Sequence, residues 1–417
     1  MLKKNIKIGI IGLGYVGLPL AIEFGKKFKV IGYDQNKSRI KNLKNFIDLN
    51  YDIKKEAFEK SKKLLFSDKI DDIATCNTYI VTVPTPILKN KKPDLSYLKK
   101  ACINLSVFLK DKDIVIFEST VYPGLTEEFC APLLQKHSNL IFNKDFFCGY
   151  SPERINPNDK KHTLENIVKI TSGSNKVTAN FVDQLYKKII KAGTFKVSSI
   201  KIAEAAKVIE NTQRDLNIAL INELAKIFDK LDIDTEAVIN AANTKWNFIR
   251  FNPGLVGGHC IGVDPYYLDY AARTNNYKTK LILSGRDLNN GMYKFIKKKI
   301  IHKLKKICLN KKKYKILICG ATFKENVSDV RNSQSLNLYS SLKKDGHQVH
   351  LFDPLVKKEF LNKNFRKDFK KRLINNFYDY CFLGVKHDIF FQLGFSFFEK
   401  KCKKNHYIYD FKKVFKK

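Results

Sequence analysis

Residues 12–17, GLGYVG, follow the β-branched run IKIGIIG and open at once into LPLAIEFGKK, where apolar residues recur at helical spacing. No other stretch of the chain restricts the fold so much. In a Gly-x-Gly-x-x-Gly turn between strand and helix, the first glycine permits a tight turn, the second lets a pyrophosphate approach, and the third lets the helix pack closely. The first turn of that helix presents free N–H donors to an anion. The next predicted strand, KVIGYD, ends at Asp34, about twenty residues on, where an acid binds adenosine ribose hydroxyls and repels a 2′-phosphate. The expected cofactor is NAD, held by Gly12, Gly14, Tyr15, Val16, Gly17 and Asp34; the alternative for Asp34 is a solvated residue at a strand end.

The same alternation continues. IKIGIIG, KVIGYD, NTYIVTVPTP, DIVIFEST, FCGYSP, NIVKITSG and TFKVSS read as strands separated by helical stretches, the pattern of a parallel, doubly wound sheet. From Ser199 to about Leu231 the chain reads as one long helix without Gly or Pro. Helical sequence continues to about residue 309, interrupted by the glycine-rich NPGLVGGHCIGVDPYYL at 252–268. Past NKKKYK, strands resume with KILICGATF, QVHLFDP, DYCFLGV and HYIYDF. The fold class expected is α/β, with two Rossmann-like doubly wound parallel-sheet domains, 1–198 and 310–417, joined by a long central helix and a helical domain, 199–309. A length of 417 residues suits two or three such domains.

Charge and cysteine usage narrow the function classes. The net charge is +36, yet the lysines are spread over the whole chain and form no basic patch interleaved with aromatics, so no nucleic-acid partner is expected. The field will still attract anionic substrates. Nine cysteines include no Cys-x-x-Cys pair, which argues against a disulfide framework or a zinc site and for a reduced, cytoplasmic setting with no metal. No apolar run has the length of a membrane helix, and the glycines in the N-terminal apolar stretch argue against a signal peptide.

Three places carry candidate chemistry. Cys260 sits among Gly254, Gly257, Gly258 and Gly262, with His259 before it and Asp264 four residues on. So many glycines mean that the backbone bends sharply or closely approaches something, with a substrate as one candidate. A nucleophilic thiol needs an electrophile delivered to it, which such a loop permits. Lys207 and Asn211 are one helical turn apart and therefore share a face, either as an oxyanion site or as part of a solvated surface. Thr82, Thr85 and Thr120 follow predicted strands, where open α/β sheets bind ligands, or are ordinary loop hydroxyls.

GLGYVGLPLA, VTVPTP, STVYPG, SPERINP, EAAKVIENTQRDLNIALINELA, NPGLVGGHCIGVDPYYL and FKENVSDVRNSQS, in this order over nearly the whole chain, resemble the UDP-glucose/GDP-mannose dehydrogenase family. The resemblance implies an NAD-binding first domain, a central domain used for homodimerisation and a C-terminal UDP-sugar-binding domain. It also implies a twofold oxidation of the sugar C6 alcohol through a cysteine thiohemiacetal and thioester. Cys260 then matches the nucleophile, Lys207 and Asn211 the oxyanion stabilisers, and Asp264 the carboxylate assisting water and proton transfer. Thr120 and Glu153 match the water-ordering and acid/base positions. Glu153, Arg154, Lys207, Asn211, Arg250, Gly257, Gly258 and Lys324 fall on substrate-binding positions, while Thr85, Thr120 and Arg331 fall beside the cofactor; Lys324 and Arg331 together could meet either the UDP diphosphate or the cofactor. Arg331 also remains readable as a surface arginine.

PERINP at 152–157 departs from the Pro-Glu-Phe-Leu-Arg-Glu of UDP-glucose enzymes, with Asn156 and Pro157 where the second glutamate would stand. It resembles the branch acting on UDP-N-acetylhexosamines, UDP-GlcNAc or UDP-GalNAc, in capsule or O-antigen synthesis, with UDP-glucose or UDP-ManNAc as alternatives. More distant readings are a 6-phosphogluconate-type hydroxyacid dehydrogenase, which transfers one hydride and needs no thiol, and an NAD-sensing nucleic-acid-binding protein.

Overall fold

The structure is a computed structural model and describes residues 5–48, 53–155, 159, 161–308, 311–358 and 361–415. It divides into two compact units, Met1–Glu210 with Tyr266–Lys278, and Asn211–Pro265 with Thr279–Lys417. Asn156 and Pro157 lie outside the described residues.

The first unit is built on strands β1 (Lys7–Ile11), β2 (Lys29–Tyr33), β3 (Leu64–Ser67), β4 (Thr78–Val81), β5 (Ile114–Phe117), β6 (Phe147–Tyr150), β7 (Lys169–Gly173) and β8 (Thr194–Lys196). Their order in the sheet is β3-β2-β1-β4-β5-β6-β7-β8. The central strands TYIV and IVIF are buried at every position, as parallel strands covered on both faces must be. The order reverses at β1, which pairs with both β2 and β4, so a crevice opens past the carboxyl ends of β1 and β4.

One expectation needs correction. NIVKITSG does form a strand, but β7 runs antiparallel to β6, pairing Gly149 with Gly173 and Tyr150 with Ser172. A parallel return needs a long crossover, usually a helix, whereas the only helical turn described between these strands is Leu164–Asn166. The helix Lys176–Lys187 then carries the chain to β8, parallel to β7. Strand β3, LLFS, has no counterpart among the strands expected from the sequence.

The long helix spans Ile200–Lys230, 31 residues without glycine or proline. In the second unit, β9 (Lys315–Cys319), β10 (Gln348–Phe352), β11 (Tyr378–Leu383) and β12 (Cys402–Asp410) form a parallel sheet in the order β10-β9-β11-β12. One face is covered by the helix Leu281–Ile307, whose Met292, Ile296, Ile300 and Leu304 recur every fourth residue and are fully buried against Ile316, Ile318 and Leu338. Phe390 and Phe398, from two short helices, close the other face. Among the described residues no helix is long and apolar enough to cross a membrane.

Candidate functional site

In the first unit, β1 delivers the chain into the glycine turn. Gly12 adopts φ +94°, its N–H donates to the Tyr33 carbonyl at 2.9 Å, and the helix α1 (Gly17–Gly25) starts immediately. A Cβ on Gly17 would lie 1.9 Å from the Gly12 carbonyl oxygen and 2.4 Å from Thr82 Oγ1, so the helix is pressed directly onto the turn. At Gly14 a Cβ would meet nothing within 4 Å. The residues therefore fit a pyrophosphate, with the second glycine facing open space above the helix N-terminus. Tyr15 and Val16 complete the turn and are partly buried.

Asp34 stands past β2. Its Oδ2 accepts from the Leu13 N–H at 2.9 Å and its Oδ1 from the Asn36 N–H at 2.9 Å, so the carboxylate is aimed along the loop rather than solvated at random. Arg39 lies near, with Nε donating to the Leu13 carbonyl at 2.6 Å. Thr82 proves to be part of the scaffold: it is buried, and its hydroxyl lies 2.6 Å from the Gly12 carbonyl and 3.1 Å from that of Ile11. Thr85 is half-buried, and its carbonyl accepts from the Tyr267 hydroxyl at 3.0 Å.

The next two strand ends carry the remaining polar groups of this unit. Thr120 is half-buried after β5, and the neighbouring Ser119 hydroxyl donates to the Val83 carbonyl at 2.7 Å. Glu153 follows β6 and is 9% exposed; its Oε1 accepts from the Ile155 N–H, and its Oε2 has no hydrogen-bond partner among the described residues. An unmatched buried oxygen costs about 1–3 kcal/mol, the kind of cost a reacting group incurs before its ligand arrives. Arg154 pairs with Glu210 at 2.8 Å and donates to the Val168 carbonyl at 2.8 Å. Lys207 is 8% exposed, so the alternative of a solvated helix face does not describe it.

Sequence reasoning passed over three buried charges here. Glu204, one turn before Lys207, accepts from the Gly124 N–H at 2.5 Å and the Thr126 N–H at 2.9 Å, which fixes the loop after Thr120 to the long helix. Burial pushes its carboxyl up to about 7. Glu118 and Lys169 form a buried ion pair of 2.6 Å, and Lys169 also donates at 3.0 Å to the carbonyl of Pro152, next to Glu153. The only local signal was a charge inside an otherwise apolar strand pattern, in IVIFEST and NIVKITSG.

The second unit holds the thiol. Asn222 grips the start of its loop twice, donating to the Gly254 carbonyl and accepting from the Gly254 N–H, each at 2.9 Å. Asn222 is itself held by Asn289, which donates to Asp215, and Asp215 is paired with the fully buried Arg286. From this anchor the chain turns through Gly257 and Gly258 to Cys260, whose carbonyl accepts from the Val263 and Asp264 N–H groups at 2.9 Å. Asp264 opens the helix Asp264–Thr274, is 1% exposed, and accepts from Asn211 Nδ2 at 2.6 Å. Cys260, Asp264 and Asn211 are thus brought together in one turn and one buried hydrogen bond. All nine cysteines are thiols rather than disulfides.

The close approach foreseen for the glycines is made to the chain itself. A Cβ on Gly257 would lie 2.4 Å from the Asn332 carbonyl oxygen, and one on Gly258, at φ +86°, would lie 2.6 Å from the Phe323 ring. The Cys260 loop therefore packs on the segment FKENVSDVRN. Arg331 in that segment does not present an open fork: Asp329 accepts from its Nε at 2.9 and 3.0 Å and from its Nη2 at 2.5 Å. His259 is 3.6 Å from the same Asp329 carboxylate. Lys324 is half-buried, and Arg250 is exposed and donates to Asn240 at 2.7 Å.

Three family models match the chain in order: the UDP-glucose/GDP-mannose dehydrogenase family's NAD binding domain over 6–190, its central domain over 201–291 and its UDP binding domain over 317–417. The chain is 50% identical over 410 residues to UDP-N-acetyl-D-glucosamine 6-dehydrogenase of Salmonella typhi, covering 98% of this chain and 96% of that one. It is also 50% identical over 367 residues to protein CapL of Staphylococcus aureus, covering 87% and 86% of the two chains. The structure of UDP-D-ManNAc dehydrogenase from Pyrococcus horikoshii superposes with a TM-score of 0.86 at 28% identity, over 97% of this chain and 94% of that one. With the glycine turn, the strand-end acid and all three domains in place, the chain belongs to the UDP-glucose/GDP-mannose dehydrogenase family and is an NAD-dependent oxidoreductase acting on a UDP-sugar.

Proposed function

We propose that the enzyme oxidises C6 of a UDP-N-acetylhexosamine, UDP-GlcNAc or UDP-GalNAc, from alcohol to carboxylate in two steps, supplying a uronic acid for capsule or O-antigen synthesis. The observation that carries the chemistry is the buried Asn211–Asp264 hydrogen bond at the foot of the Cys260 turn. The identity to the Salmonella typhi enzyme supports the sugar.

NAD, when bound at Gly12–Gly17 and Asp34, supplies the hydride acceptor for each oxidation. The protein's own part begins with Lys207 and Asn211, which offer a cation and an amide donor to the developing oxyanion, a contribution of about 3–4 kcal/mol for one such donor. The Cys260 thiol adds to the aldehyde, forming a C–S bond and a thiohemiacetal. Loss of the second hydride from that carbon leaves a thioester. Water, ordered by Thr120 and deprotonated with help from Asp264 and Glu153, adds to the thioester carbonyl; the C–S bond breaks and the thiol is regenerated. We assign Arg154, Arg250, Gly257, Gly258 and Lys324 to binding of the UDP-sugar, and Thr85 and Arg331 to binding of NAD. We assign NAD binding to 1–198, the thiol loop and dimerisation to 199–309, and UDP-sugar binding to 310–417.

The enzyme works in the cytoplasm as a homodimer. In support of the dimer, Leu220, Ile227, Trp246 and Ile249 of the central region expose 55%, 45%, 92% and 70% of their surface, apolar area that a second copy would cover.

The test is stoichiometric. Purified enzyme with NAD and UDP-GlcNAc or UDP-GalNAc forms two NADH per sugar consumed, and Cys260→Ala forms no acid. One NADH per sugar, or acid formed by the alanine variant at the wild-type rate, overturns the reading.

A further inference from the structure

Behind Glu153 lies a charged cluster that the chemistry above does not use. Glu118, directly after β5, is fully buried; Lys169, the first residue of β7, is 3% exposed; Tyr186, on the helix Lys176–Lys187, is fully buried. Lys169 Nζ donates to Glu118 Oε2 at 2.6 Å, and the Tyr186 hydroxyl donates to Glu118 Oε1. The same ammonium donates at 3.0 Å to the carbonyl of Pro152, the residue before Glu153, and stands 5.4 Å from the Tyr186 ring centre. Two strands and a helix therefore hold the cluster rigidly against the peptide that presents Glu153.

A buried ion pair is a poor stability device. Removing two charges from water costs several kcal/mol per ion, and well-packed apolar replacements are often as stable or more so. This pair also has a third charge facing it. From the elements packed around Glu118 come Lys169 on β7, Tyr186 on its helix and Glu153 after β6. Burial pushes the Glu118 carboxyl up to about 7; Lys169 opposes that shift, and the charge on Glu153 adds to it. The interaction is mutual, so the charge on Glu118 acts on Glu153 as that on Glu153 acts on Glu118.

We propose that Glu118 and Lys169 are positioning residues for Glu153. Lys169 holds the Pro152 peptide in place, and the charge balance of the pair sets the proton affinity of Glu153 and through it the pH-dependence of turnover. The inference rests on Glu153 being a group of the reaction.

Its sign is fixed by electrostatics. With Glu118 ionised the pair is neutral, and Glu153 meets no net charge behind it. With Glu118 neutralised, the Lys169 ammonium is unopposed and favours ionised Glu153. Glu118→Gln keeps the shape, an oxygen for Lys169 and an amide for the Tyr186 hydroxyl, but leaves the cation uncompensated. The limb of the pH profile that reports Glu153 then moves to lower pH, whichever form the reaction uses.

The measurement is kcat against pH at saturating NAD and UDP-GlcNAc, with the full chain. Glu118→Gln shifts the limb down, and the double variant Glu118→Gln/Lys169→Met, which removes both charges, moves it back towards wild type. A purely structural role gives a lower kcat without a shifted limb, and a double variant no better than the single. An unmoved limb in Glu118→Gln, or a double variant shifted further the same way, overturns the proposal. Tyr186→Phe keeps the ring packed edge-on against Phe24 at 5.6 Å and removes only the hydroxyl donor, so Glu118 protonates more readily. It must shift the limb in the same direction by less, and it decides the matter if Glu118→Gln does not fold. Glu153→Gln separates the two readings. If that variant keeps the wild-type profile, the role of Glu153 fails; if it changes the profile while Glu118→Gln does not, only the present inference fails.

Discussion

The two sheets of this protein begin with nearly the same device and end it differently. Gly12 and Gly320 both follow a first strand with positive φ, +94° and +91°, and each donates its N–H at 2.9 Å to the last residue of the neighbouring strand, Tyr33 or Phe352. The next residue of each neighbouring strand is an aspartate that reaches back to the turn: Asp34 Oδ2 accepts from the Leu13 N–H at 2.9 Å, and Asp353 Oδ2 from the Ala321 N–H at 2.8 Å. In the first unit the helix starts at Gly17, and the crevice past β1 and β4 stays open over Gly14. In the second, the chain after Gly320 wanders to Gln334 before its helix starts, and His387, fully buried after β11, fills the equivalent crevice between β9 and β11. The His387 Nδ1 accepts from the Asn326 N–H at 2.9 Å, so Nε2 carries the proton and faces Asp353 and Thr322, each at 3.1 Å. The same strand-turn-acid scaffold therefore binds a ligand in one sheet and its own side chain in the other. That second use fixes the loop carrying Lys324 and Arg331.

The harshest way to break the comparison is to spoil the open turn. Gly17→Ala puts a methyl 1.9 Å from the Gly12 carbonyl oxygen, a backbone atom that cannot swing away, so the helix must move. The expected result is loss of NAD binding by titration, with destabilisation of about 3 kcal/mol or more, at the upper end of overpacking costs. Gly14→Ala meets nothing within 4 Å and leaves the melting temperature unchanged, while the KM for NAD rises because the methyl occupies the cofactor's approach. A Gly17→Ala enzyme with wild-type affinity for NAD would show that the helix N-terminus need not touch the turn.

His387→Ala attacks the plugged turn. It removes the His387 acceptor from the half-buried Asn326 N–H and opens a cavity in place of a fully buried ring, which together cost about 2–4 kcal/mol. Calorimetry should show a melting temperature several degrees lower. Kinetics should show a raised KM for UDP-GlcNAc through Lys324 on the loosened 322–331 loop, and a smaller rise in the KM for NAD through Arg331. Wild-type values of both constants would mean that His387 does not act through that loop.

How far the sequence foretold this arrangement depends on the range over which each feature is encoded. The glycine turn, Asp34 and the long helix are local patterns, readable from spacing. Partners far apart in the chain are not: Lys169 meets Glu118 across 51 residues, Asn222 meets Gly254 across 32, and His387 meets Asn326 across 61. The antiparallel β7 was hidden for the opposite reason, since its residues suit either direction and only the missing crossover helix distinguishes them. Gly257 and Gly258 correctly announced a close approach, and Asn332 and Phe323 are the chain's own atoms that make it. Thr82 was a plausible cofactor hydroxyl until its bonds to Ile11 and Gly12 placed it in the scaffold.

A finer test exchanges the character of the two acids. Asp353 is 2% exposed and committed to the Ala321, Thr322 and Leu355 N–H groups, whereas Asp34 keeps a partly open face beside Arg39. Asp34→Ser removes the charge that repels a 2′-phosphate and leaves Arg39 nearby to receive one. The ratio of kcat/KM for NAD to that for NADP should fall by about tenfold, equivalent to about 1.4 kcal/mol, with stability little changed. A constant ratio would place cofactor choice in another residue.

The smallest expected effect belongs to Arg331, where the plugged turn meets the proposed ligand side. Its guanidinium is 56% exposed and already shares two oxygens of Asp329, whose carboxyl it holds below the usual carboxylate range even though burial works against it. Arg331→Lys keeps the charge and loses the planar fork, so Asp329 retains one contact in place of three. With the charge kept and the guanidinium exposed, the stability change stays within about 1 kcal/mol. If Arg331 also reaches the cofactor, the KM for NAD rises by up to about fivefold, the kinetic equivalent of that same 1 kcal/mol, while kcat stays at its wild-type value. Steady-state kinetics with NAD varied at saturating UDP-GlcNAc reads this directly. Wild-type constants would assign Arg331 wholly to Asp329, as an internal brace of the 323–331 loop, and the plugged turn would then contribute no charge to the cofactor.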